Sequence, residues 1–210
     1  MTQADYSLQV IERGKKIIET NIERGVLSMW NLHSFFIGGT PTDEEVNDAV
    51  DRLLLVSNFA STESVAGGPF HVLPSMLVYS KWKDRLPKAS ADRIKNFFLN
   101  GMIDRGNTEN HWLMHYTGSL LAAEEWENEA SMWNGMSPAA VHAEAKRWII
   151  GMIERTVLTG HHEYDSTGYI AEHLTPLIGL IENTRDLELR EKARKAATLL
   201  FTDMAVEYFH

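Results

Sequence analysis

The sequence contains no cysteine. Disulfides, thiolate metal sites and a cysteine nucleophile are excluded, while the compartment stays open. No apolar run approaches the ~20 residues of a membrane-spanning helix, so no membrane partner is expected. The start, Met1 to Tyr6, has no basic stretch followed by an apolar one, unlike a signal peptide. The chain is expected to be cytoplasmic as it stands, or periplasmic or secreted if a leader has been removed. Positive charge is scarce, with 20 Lys and Arg against 29 Asp and Glu, a formal net charge of −9. That balance disfavours nucleic acid as a partner. The densest basic stretch (Arg190, Lys192, Arg194, Lys195) is interleaved with Glu188 and Glu191 and reads as a solvated helix face. Also missing are a Gly-x-Ser-x-Gly elbow, a phosphate loop, a dinucleotide glycine pattern and an aspartate-rich diphosphate run. Esterase, NTPase, dehydrogenase and terpenoid chemistry are disfavoured, and no cofactor is expected.

What is present is an ordinary globular balance, 44% hydrophobic and 23% charged over 210 residues, enough for one core. The apolar pattern is helical nearly throughout. Residues 5–24 repeat near 3.6 and meet Gly25 as a stop. Thr42-Asp43-Glu44-Glu45 is a capping box. An apolar pattern over 71–82 surrounds Pro74, and Ser90 is expected to cap a helix reaching about Met102. Thr108 is expected to cap a helix over about 109–127, and Ser137-Pro138 to open one that ends at Gly160. A helix over 167–183 is interrupted at Pro176, and Asp186 caps the last, whose pattern still runs at His210. No strand pair is expected. The reading is all-α: a single domain over 1–210 of antiparallel helical hairpins, arranged as an α/α toroid or the front part of a longer one.

Two polar knots interrupt this pattern. One is Asn107-Thr108-Glu109-Asn110-His111. The other, Gly160 to Tyr169, packs two imidazoles, two carboxylates and two phenols into ten residues. If the protein does chemistry, the two knots are expected to face each other. His111 and His115 are four apart on one helix face. Trp112 holds the place where a zincin carries Glu, and neither His111 nor His115 follows a Glu by three residues, so no metal is expected. Glu163 and Asp165, two apart, can raise one another's pKa and divide acid and base roles. Tyr164 and Tyr169 are phenols able to pass a proton. Against this stands a plainer reading, in which Asp165 or Ser166 only caps the next helix.

The stretch from Thr108-Glu109-Asn110-His111 to Leu121-Ala122-Ala123-Glu124, with Gly160-x-x-Glu163-Tyr164-Asp165-Ser166-x-x-Tyr169, resembles bacterial α/α-toroid proteins. These are related to polysaccharide lyases of the heparinase and alginate lyase kind. The resemblance extends through Asp186-x-Glu188-x-Arg190 and Asp203-x-Ala205-Val206, covers residues 105–210, and is poor over the first hundred. It implies β-elimination on a uronate-containing poly- or oligosaccharide. Asn110 and His111 would neutralise the uronate carboxylate and acidify its C5 proton, and Tyr164 or Tyr169 would serve as acid or base, with Glu163 beside them. Glu109, His115, His162, Asp165 and Arg155 are candidate substrate-binding residues, with Arg147 or Arg155 as the local cation. Two alternatives stand beside it. One is a glycoside hydrolase using Glu163 and Asp165. The other is a non-catalytic module binding glycan or protein through Trp112, Trp126, Trp133 and Trp148.

Overall fold

The computed structural model describes residues 3–54, 66–160, 166 and 168–208. Among them are nine α-helices: α1 Gln3–Glu23, α2 Leu32–Gly38, α3 Asp43–Leu54, α4 Pro69–Trp82, α5 Lys88–Asn100, α6 Glu109–Glu125, α7 Pro138–Thr159, α8 Tyr169–Asn183 and α9 Leu187–Tyr208. The all-α class holds. One element departs from expectation. Ala66–Gly67 and Met102–Ile103 form a two-residue parallel pair, β1 and β2, too short to leave a period-2 signal.

Local chemistry sets most of the helix ends. The Glu45 N–H donates to the Thr42 hydroxyl while the Thr42 N–H donates to Glu45, the expected capping box. Gly160 ends α7 with φ of 75°, and Gly25 follows α1 with φ of 67°, a region side chains disfavour. Ser137 and Asp186 accept from the N–H groups of Ala140 and Leu189, as caps should. Ser90 corrects an expectation. The α5 helix begins at Lys88, behind Pro87, and the buried Ser90 hydroxyl donates instead to Asn47 on α3, 2.6 Å away. Pro74 and Pro176 both lie inside their helices.

Helix α6 is the centre. Its buried residues cover most of its circumference, as expected of a helix enclosed by others. Pairings along its length give the directions. Val72 of α4 lies against Gly118, and Tyr79 of α4 against Trp126, so α4 and α6 run parallel. Asn110 meets Glu172 and Glu124 meets Thr184, so α8 runs parallel too. Arg155 meets Glu109 and His142 meets Glu124, so α7 is antiparallel to α6. Lys146 pairs with Glu188 and Lys192 with Glu154, aligning α9 with α7. The result is a layer of α4, α6 and α8 backed by α7 and α9 (a stack of helical hairpins). Gly118 permits the close α4 contact. A Cβ there would collide with Val72 Cγ1 and sit 3.0 Å from the Val72 carbonyl oxygen. At the outer edge, α1 packs on α2 and none of its residues is buried.

Candidate functional site

The amino terminus of α6 carries the first polar knot. Gly106, with φ of 72°, turns the chain into it, and His111 packs so tightly there that a Cβ on Gly106 would lie 2.7 Å from His111 Nδ1. The Thr108 hydroxyl does not cap the helix. It donates to Asn110 Oδ1, and Asn110 Nδ2 donates to Glu172 in the first turn of α8. Asn110 is 0% exposed, so both ends of its amide are committed inside the protein. Glu109 is buried as well, and Arg155 of α7 donates to its carboxylate. Glu109 and His173 line a cavity of about 20 Å³ between α6, α7, α8 and α9, room for one water. Burial holds His173 below its ordinary range, and its Nδ1–H donates to the Tyr169 carbonyl at 3.0 Å.

The side chains at this corner diverge. Asn110 turns toward α8, whereas His111 is half-buried and stands edge-on to Phe70 with centroids 5.3 Å apart. His111 Nδ1 has no hydrogen-bond partner among the described residues. Tyr169, one turn before Glu172, is 45% exposed. The Ser166 hydroxyl accepts from the Tyr169 N–H, so the capping role foreseen for Asp165 or Ser166 belongs at least to Ser166. His162, Glu163, Tyr164 and Asp165 lie outside the described residues. The first knot therefore meets α8 and α7 at the ends that flank the second knot.

His115 is set apart from this corner. It is buried against Tyr116 and Trp133, and burial, with help from the Arg105 charge, pushes its pKa down to about 4. A neutral imidazole walled in by rings is suited to packing rather than to binding an anion. Among the described residues no group of three or more His, Asp or Glu gathers as a metal site would.

Sequence reasoning missed Glu172, the partner of Asn110, and Gly151, which lies midway between Arg147 and Arg155 on α7. The spacing 147, 151, 155 puts all three on one helix face, and that signal was available. Nothing in the sequence announces Glu172, because its partner is 62 residues away.

The class that fold and site define is an all-helical domain with a buried polar corner joining three helices. Among the described residues no helix is long and apolar enough to cross a membrane. The chain matches no known protein family, no curated protein and no solved structure.

Proposed function

We propose that this protein is a carbohydrate-active helical domain of the toroid kind that cleaves a uronate-containing glycan by β-elimination. The observation that carries this reading is the tie between Asn110 and Glu172. It brings the α6 amino terminus against the start of α8, with His111 beside one end of the tie and Tyr169 one turn from the other. The stack of parallel and antiparallel helices, the unit a helical toroid repeats, also supports it.

The chemistry asks for three roles. A cation or donor neutralises the uronate carboxylate, a base removes the C5 proton, and an acid protonates the departing oxygen as the C4–O bond breaks and a C4–C5 double bond forms. His111 and the half-exposed Arg155 suit the first role, because the Asn110 amide would have to leave Glu172 to take it. Asn110 is then a positioning residue, holding α8 against α6. Tyr169 suits the proton-transfer role, with a phenol exposed at the corner.

The test is the ultraviolet absorbance of the unsaturated product on a panel of uronate polymers. His111→Ala and Tyr169→Phe are each expected to lower kcat/KM by about a hundredfold or more. Absence of unsaturated product from every polymer, or full activity in both variants, contradicts the reading.

A further inference from the structure

Beside the corner, the outer face of α6 and α7 holds a groove that shares only Arg155 with the elimination step. Its lining is Trp112 from α6 with Arg147, Trp148, Gly151, Met152 and Arg155 from α7, around a space of about 310 Å³. Three properties of the groove matter. The first is charge. Among the described residues two guanidiniums and no carboxylate line it, in a chain whose net charge is −9. Arg147 is exposed and has no carboxylate partner among the described residues, while Arg155 reaches Glu109 with one nitrogen and keeps its side chain about 41% exposed. The second is a rigid aromatic wall. Trp112 and Trp148 meet edge to face at 5.7 Å, Trp148 stacks on Tyr116 at an interplanar angle of 7°, and Arg105 sits 4.8 Å over the Trp112 ring. The Trp112 Nε1–H is tied to the Gly106 carbonyl at 3.1 Å. The third is the floor. Gly151 is exposed, and a Cβ there would meet nothing within 4 Å. No packing demand explains a glycine in mid-helix, where it weakens the helix. Its missing side chain leaves the space between Arg147 and Arg155 open.

We propose that this groove binds an anionic sugar unit, with the ring against the indole wall and its carboxylate or sulfate on Arg147 and Arg155. The eight-residue separation of the two arginines spans about 12 Å along the helix, so the groove takes a short stretch of chain rather than a single small anion. Guanidinium is the group suited to bidentate recognition of such oxyanions. A nucleic acid strand fits less well, because a phosphate track needs a longer run of cations than this acidic chain offers. The groove stands whether or not the neighbouring corner turns the ligand over. Since Arg155 borders both, a sugar held here would reach toward His111 and Tyr169.

The experiment is calorimetric titration of the full chain with four probes: tetragalacturonate, sulfated cellotetraose, neutral cellotetraose and an oligothymidylate. The acidic sugars are expected to bind at least about tenfold more tightly than the neutral one. A galacturonate preference assigns the carboxylate, and a sulfate preference assigns the ester. Arg147→Ala is expected to weaken the acidic sugar about tenfold and leave the neutral one unchanged. Gly151→Leu, which fills the floor without lowering Tm, is expected to weaken binding of the acidic sugar more than Arg147→Ala does. Equal binding of acidic and neutral sugars, wild-type binding in both variants, tighter binding of the oligothymidylate, or no binding of any acidic sugar overturns the proposal. Acidic sugar bound through Arg147 and Gly151 without unsaturated product overturns the elimination reading and leaves the groove. Product formed with wild-type kinetics in both variants does the reverse.

Discussion

The two ends of α6 are built from the same parts and finished differently. Each carries a buried glutamate that reaches α7. At the carboxyl end Glu124 accepts from the Thr184 hydroxyl at 2.7 Å, the Arg185 N–H at 2.9 Å and His142 Nε2 at 3.3 Å. Burial alone would raise the Glu124 pKa, but these three donors outweigh it and hold the carboxyl below its ordinary range. That end is a closed joint fixing the turn between α8 and α9. At the amino end Glu109 has the half-exposed Arg155, Arg155 Nε and His111 Nδ1 lack partners among the described residues, and a groove opens alongside. Satisfied polar groups fix a fold, and a guanidinium half-exposed beside an opening is available to a ligand.

The largest expected effect falls on the closed end. Glu124→Ala strands three donors in the interior and is expected to cost about 3 kcal/mol in urea unfolding, with ligand binding unchanged after correction for folded fraction. Glu124→Gln is expected to cost less, since it keeps an acceptor. Because the Glu124 pKa is depressed in the folded state, its contribution is present above the ordinary carboxylate pKa and is lost as pH falls through the folded value.

A second prediction concerns His115, whose pKa is pushed from 6.5 to about 4. The unfolded chain binds its proton first, so stability declines as pH drops from 6.5 toward 4, by about 3 kcal/mol at most for this one residue. His115→Phe is expected to flatten the slope of Tm against pH in that window. An unchanged slope would remove His115 as its source.

The helix caps were legible in sequence because they are local. A hydroxyl and a carboxylate three residues apart declare a capping box whatever the tertiary fold, and Thr42 with Glu45 did so. Ser90 misled for a tertiary reason, because its partner Asn47 lies on another helix. The corner was half legible. The first polar knot marks it, and Asn110 lies within that knot. Its partner Glu172 depends on how α8 lies against α6, which no local pattern encodes. The groove was visible as isolated residues, a tryptophan here and an arginine there. It becomes a site only when Trp112 of α6 is set beside the 147, 151, 155 face of α7.

At the open end smaller effects on stability are expected. Arg155→Ala exposes the Glu109 carboxylate to its surroundings and is expected to cost about 1 kcal/mol, discounted because the guanidinium is half-exposed. Gly151→Ala is the smallest and has the opposite sign, a gain of about 0.5–1 kcal/mol from helix propensity alone, read by thermal unfolding. A loss of stability there would mean that the glycine has a packing role that its open surroundings do not suggest.

The contrast between the two ends is tested most directly by one paired measurement: initial rates of unsaturated product formation on a uronate oligosaccharide for His111→Ala and Glu124→Gln, each corrected for folded fraction. The account predicts that His111→Ala loses about a hundredfold in rate at wild-type Tm, while Glu124→Gln loses stability and keeps its rate. Equal loss of rate in both variants, or full rate in His111→Ala, would contradict it.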